Sequence, residues 1–224
     1  MASRIGIAAR TMAVVAMVSA GIAATPTPSA AGTTPADALA ELAGLTVKGR
    51  APKTGYKRAE FGPAWSDDVS VPGGHNGCTT RNDILRRDLV DLVIKAGTHG
   101  CVVLSGVLND PYTGTVIDFV RGPSSSEAVQ IDHIVALSDA WQKGAANWDP
   151  QTRRNFANDP ENLQATAGWA NQQKGDGDAA TWLPPNKAQR CSYVTRIVDV
   201  KAKYGIWVTR AEHDALARVL TTDC

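Results

Sequence analysis

Residues 129–141, VQIDHIVALSDAW, set an Asp and a His side by side at the end of an apolar, β-branched run. A strand end holds such side chains rigidly, and both have chemistry to offer. The imidazole of His133 titrates near neutrality and can take a proton from water. The carboxylate of Asp132 is a hard oxygen donor suited to a divalent ion such as Mg²⁺. Asn162, Asn171 and Lys174 follow downstream. Asn171 could add an amide oxygen to the same ion, with Gln172 or Asn186 as alternatives. Asn162 comes after DPE, where Asn is often only a turn former. Lys174 stands three residues past Asn171, near the same helical face, and is a candidate for a phosphate contact. His75, in a Gly-rich loop, His99, and His213, on the polar face of a helix, have no such company.

For these side chains to meet, the chain after residue 128 must fold back on itself. AVQIDHIV reads as a strand, LSDAWQKGA as a helix, NWDPQTRRNFANDPE as mostly loop, NLQAT as a strand and GWANQQKGD as a short helix. Strand, loop, strand and helix would then gather Asp132, His133, Asn162 and Asn171 at one cleft. Upstream, 80–95 has apolar residues at 84, 85, 89, 92 and 93, the spacing of an amphipathic helix. Residues 101–122 are two β-branched runs around NDPYTG, a hairpin pattern. CSYVTRIVDVKAKYG and TRAEHDALARVLTTDC read as closing helices, the second opened by Thr209 and Glu212 at capping-box spacing. Arg58 and Arg154 are the further candidates for phosphate contacts. Trp141, Trp148, Trp169 and Trp182 crowd the motif and are expected to be core rather than base-stacking residues.

The first 31 residues read differently. MASRIGIAAR carries Arg4 and Arg10 and no acid, TMAVVAMVSAGIAA is apolar, and ATPTPSAAG supplies small residues. That is the pattern of a secretory signal, cleaved between Ala24 and Ala31, which would leave a soluble, extracellular protein away from the membrane. Residues 32–55 are expected to be a flexible tether, and 56–224 one domain with its motif core at 128–186. Taking Arg4 and Arg10 from 23 basic residues leaves 21 against 22 acidic ones. A near-neutral chain excludes a broad basic face, though not a local basic cleft. Cysteines at 78, 101, 191 and 224 are an even set in an exported chain and point to two disulfides. Of the three possible pairings, Cys78–Cys101 and Cys191–Cys224 are favoured because each closes a local loop. No C-x-x-C pair is present to make a structural zinc site.

DHIVAL, ENLQAT and WANQQKGD together resemble the His-Asn-His motif of the HNH nucleases, also called ββα-metal or His-Me finger nucleases. YKRAEFGPAW, CTTRNDILRRDL, LNDPYTG, FANDPENLQAT and DAATWLPP extend the likeness over roughly 56–224, to secreted actinobacterial proteins of the HNH endonuclease family. The resemblance implies an α+β fold, a ββα-metal core with an added β-hairpin and flanking helices. It implies a divalent-metal-dependent endonuclease that hydrolyses phosphodiester bonds of nucleic acid, DNA or also RNA with the preference left open, and leaves 5′-phosphate and 3′-hydroxyl ends. His133 would be the general base, Asp132 and Asn171 the metal ligands, and Asn162 the residue that braces the loop behind His133. No His lies between 134 and 212, which favours Mg²⁺ or Mn²⁺ over Zn²⁺. With no separate DNA-reading module, sequence-nonspecific cleavage by a monomer is expected. Two other readings share these residues: a phosphodiesterase of non-nucleic-acid substrates, and a non-catalytic secreted binding protein on the same scaffold.

Overall fold

The computed structural model describes residues 1–2, 33–123 and 125–224. The expected signal segment lies, but for its first two residues, outside the described residues. In chain order come α1 (Pro35–Gly44), α2 (Thr80–Asp88), β1 (Leu89–Ile94), β2 (Val103–Asn109), β3 (Val116–Val120) and β4 (Val129–His133). They are followed by α3 (Leu137–Gln142), α4 (Pro150–Asn158), β5 (Leu163–Ala167), α5 (Gly168–Lys174), α6 (Arg190–Tyr204) and α7 (Arg210–Thr222). Thr33–Cys224 forms one compact, mixed α+β unit. Among the described residues no helix is long and apolar enough to cross a membrane.

The stretch expected to be a tether is packed structure. Thr34 and Asp37 form a reciprocal capping box and Pro35 takes the first helical position, which starts α1. Ala38 and Leu42, one turn apart, bury a narrow stripe in the main core. The chain then stays pinned: the Lys48 amide donates to the Val208 carbonyl at 2.9 Å and the Ala51 amide to Gln142 at 2.8 Å. An Ala/Thr/Pro composition hides this, because what holds α1 is the surface of α6 and α7 and not its own propensity.

The first sheet is β1-β2-β3, antiparallel throughout. Its β2–β3 hairpin closes around Asp110, which accepts from the Thr113 amide and, at 2.7 Å, from the Thr166 hydroxyl on β5. The helix expected over 80–95 stops at Asp88. Residues 89–94, LVDLVI, pair with β2 instead, with a bulge where Asp91 takes a left-handed φ of 52°. Apolar positions at 89, 92 and 93 satisfy a helix and a bulged strand alike, and pairing with β2 decides the outcome.

The second sheet is β4 with β5, antiparallel from Val129↔Ala167 to His133↔Leu163, and α5 follows directly. A Cβ on Gly168 would come within 2.0 Å of the Glu127 carbonyl, so glycine here lets α5 start tight against the chain entering β4. Between the strands, 150–158 is the helix α4, not loop. Asp149 caps it by accepting from the Gln151 and Thr152 amides, Pro150 takes the first helical position, and Phe156 and Ala157 are fully buried. Trp141 is buried, and Trp148 and Trp182 pack against the core; Trp169 departs from expectation at 57% exposed.

Both favoured disulfides are present, Cys78–Cys101 before α2 and β2, and Cys191–Cys224 between α6 and the chain end. Cys78–Cys101 closes a 23-residue separation. Replacing both cysteines with serine is expected to cost about 3 kcal/mol, read as a lowered urea midpoint at unchanged slope. A loss under about 1 kcal/mol would mean that the loop it closes is already restricted in the unfolded chain.

Candidate active site

β4 ends at His133, and the turn into α3 is held from behind by Asn162. The Asn162 Oδ1 accepts from the Val135 amide at 2.8 Å, its Nδ2 donates to the Val135 carbonyl at 3.3 Å, and its own carbonyl accepts from the Ile134 amide at 2.8 Å. Asn162 is fully buried, delivered by the short turn Pro160–Asn162 that Asp159 caps. His133 Nε2 lies 2.9 Å from the Ala157 carbonyl on α4. A carbonyl only accepts, so Nε2 carries the hydrogen and Nδ1 keeps its lone pair. Burial lowers this imidazole from 6.5 to about 3; the Ala157 bond works against that, and Arg58 and Lys174 add to it. The ring is neutral at pH 7, with one nitrogen tied and a free lone pair on the other, and it is a weaker base than the near-neutral imidazole expected from the sequence.

Asp132 alternates to the opposite side of β4, where α5 lies. Asn171 and Lys174, one helical turn apart, meet Gln130 and Asp132. The Asn171 Nδ2 donates to Gln130 Oε1 at 2.9 Å, and Lys174 Nζ donates to Asp132 Oδ1 at 2.9 Å and to the His133 carbonyl at 2.8 Å. Lys174 is 3% exposed, and its ammonium is held by Asp132 and the His133 carbonyl beneath the cleft rather than lining it. The other Asp132 oxygen accepts from the Tyr112 hydroxyl at 2.6 Å. Burial and then Asp132 push the Tyr112 phenol well above its usual range, so it remains a donor. Sequence reasoning treated Tyr112 only as part of the NDPYTG turn; nothing local marks it as a partner of a residue on another sheet.

His133, Asp132 and Asn171 line one cleft of about 210 Å³ together with Tyr56, Arg58, Ser138 and Asp176. Arg58 comes from the short turn Arg58–Phe61, anchored by Phe61, which packs against the rings of Tyr56, Trp141 and Phe156. Its Nη1 is buried without a hydrogen-bond partner, and burial lowers its pKa. Lys53 is taken by Asp176 at 2.7 Å. Among the described residues Arg58 is therefore a cleft cation with no carboxylate. Arg154 does not line the cleft, and its guanidinium pairs with Asp68.

A divalent ion would find hard oxygens here. Asn171 turns its amide nitrogen to Gln130, which leaves Oδ1 without a protein partner among the described residues. Each Asp132 oxygen has one donor and lone-pair capacity to spare. These donors fit an ion that keeps most of its water, as Mg²⁺ does. A Cys/His zinc centre has no donors: both cysteine pairs are oxidised, and among the described residues no three His, Cys, Asp or Glu side chains are arranged to hold a metal ion.

The model of the family described as GmrSD restriction endonucleases, C-terminal domain, matches residues 79–219. An "Uncharacterized secreted protein" of Arthroderma benhamiae is 37% identical over 183 residues, 81% of this chain and 82% of its own. No solved structure matches. With a secreted relative and both disulfides, the chain is a secreted protein.

Proposed function

The chain belongs to the family of the C-terminal domain of GmrSD restriction endonucleases, and from that premise we propose that it is a secreted, divalent-metal-dependent endonuclease of the ββα-metal type. The observation that carries this reading is His133, whose Nε2 is tied to Ala157 while its ring shares a cleft with Asp132, Asn171 and the uncompensated Arg58. In it His133 Nδ1 takes a proton from water, the resulting hydroxide attacks phosphorus, and the bond to the 3′ oxygen breaks, the departing oxygen taking a proton from solvent water. The products are a 5′-phosphate and a 3′-hydroxyl. Arg58 holds a phosphate oxygen, and Asp132 and Asn171 hold the metal. When bound, a divalent cation supplies positive charge to the phosphate and the leaving oxygen. Asn162 sets the turn that aims His133, and Lys174 and Tyr112 set Asp132. DNA or RNA is the substrate expected, cut without sequence preference by a monomer.

The test is nicking of a supercoiled plasmid by the purified mature protein. Cutting with Mg²⁺ or Mn²⁺ that EDTA abolishes and added metal restores is the expected result. Cutting of small phosphodiesters alone would move the activity to another substrate. No cutting of nucleic acid in any divalent metal would sink the reading and leave the binding-protein alternative.

A further inference from the structure

Trp65 has a backbone φ of 58°, a left-handed conformation that a bulky side chain adopts only where its surroundings impose it. Its indole lies on the imidazole of His133, ring centroids 5.9 Å apart and planes within 13° of parallel. The bond from Nε2 to Ala157 fixes one corner of the imidazole but leaves the ring free to swivel about the line from Cβ to that corner. A flat surface against its face removes that freedom.

The indole is itself clamped on both sides in sequence. Upstream, Phe61 is locked in the aromatic core and Gly62, at φ 77°, turns the chain. Downstream, the Trp65 carbonyl accepts from the Thr80 amide at 3.3 Å, and the Thr80 hydroxyl donates to the Ser66 carbonyl at 2.9 Å. Thr80 opens α2, next to the Cys78–Cys101 bridge. Trp65 also packs against the cluster that holds Ile131, two residues before His133 on the same strand face. A rigid frame thus delivers one aromatic plane to one imidazole.

We propose that Trp65 is the positioning residue of the base, and that its left-handed backbone is retained because it lays the indole flat on His133. The inference rests on His133 acting as the proton acceptor in the function proposed above. A packing role alone predicts that activity and stability fall together when the indole is removed. Positioning predicts that they separate.

Three variants of the full mature protein test it: Trp65→Phe, Trp65→Ala and Trp65→Gly. Glycine relieves the left-handed backbone, so Trp65→Gly is expected to resist urea at least as well as Trp65→Ala. Both are expected to lower kcat for oligonucleotide cleavage about 10- to 100-fold, with KM within about threefold, as misplacement of a catalytic group does. Phenylalanine, a smaller flat ring, is expected to return kcat to within about fivefold of the parent. In metal-free protein, ¹⁵N NMR should show a single Nε2–H form of His133 in the parent and an averaged ring in Trp65→Gly. Unchanged kcat in Trp65→Gly, or no rescue by phenylalanine, overturns the proposal. A parent that cuts nothing overturns the nuclease reading instead. The NMR comparison then still decides on the stack: averaging confined to Trp65→Gly supports it, and identical spectra overturn it.

Discussion

His133→Ala is expected to lower plasmid nicking by about two to four orders of magnitude, the range lost with a general base. Protein stability should change far less. Alanine gives up one hydrogen bond to Ala157 and the stack with Trp65, together about 1–3 kcal/mol. His133→Asn is the sharper variant, because its amide can keep a donor toward Ala157 while offering no basic nitrogen. Equal losses of activity in both variants, with Asn the more stable, would isolate proton transfer as what is missing. A loss under about tenfold would place the base elsewhere. The pH behaviour follows from the same burial. Below 6.5 the unfolded chain takes up a proton that the folded imidazole refuses until about 3. The unfolded state then holds more protons, so His133 makes the fold lose stability as pH falls across that window. Activity, by contrast, should show no acid limb near 6.5, since the base is already unprotonated there.

The parts of this site that are close in sequence could be read from it, and the parts that meet through space could not. Asp132 and His133 stand at a strand end, and Asn162 and Asn171 mark the next two elements, so a pass along the chain finds them. Lys174 was legible as a cation three residues past Asn171 but not as a buried one; its burial depends on how closely α5 approaches β4. Tyr112 and Trp65 come from distant loops, and the Trp65 contact requires a backbone conformation that nothing in GPAW announces. The elements misread share one cause. The 80–95 run fits two periods, α1 has a composition suited to a linker, and α4 starts at an Asp-Pro that also suits a turn. In each case the deciding term is tertiary: pairing with β2, docking on α6 and α7, and burial of Phe156.

Behind the cleft lies the feature whose disruption should cost the fold most. Lys143 is fully buried and touches Asp139 at 2.6 Å, Asp178 at 2.8 Å and Glu212 at 2.7 Å. Lys201, also buried, adds contacts to Asp139 at 3.3 Å and Glu212 at 2.8 Å, and Arg50 reaches Asp139 and Asp178 from the edge. The cluster is charge-balanced and ties α3, α6, α7 and the chain after α5. Glu212 sits where a capping box would use its side chain, yet that side chain turns inward to the lysines, while Thr209 alone caps α7. Burial works to raise the Asp178 carboxyl, but Lys143 and Arg50 outweigh it and hold it below the usual carboxylate range. Burial likewise works to lower Lys143, and Asp139 and Glu212 outweigh it and raise the ammonium. Asp178 therefore adds stability above about pH 4 that is lost as pH falls through its folded value, and Lys143 adds stability up to about pH 10 that is lost above that. Lys143→Met strands carboxylates in the interior and is expected to cost about 3–5 kcal/mol in urea unfolding at pH 7. Lys143→Met with Glu212→Leu restores the balance, Asp139 and Asp178 against Lys201 and Arg50, and should recover most of that loss. A single variant that costs under about 1 kcal/mol, or a double variant no better than the single, would show that the cluster is solvated in solution. Leu137, Ser138 and Asp176, on the same α3 and post-α5 segments, line the cleft. Loss of the cluster should therefore lower activity through the wall that carries them, while His133, held from α4 and β5, keeps its bond to Ala157.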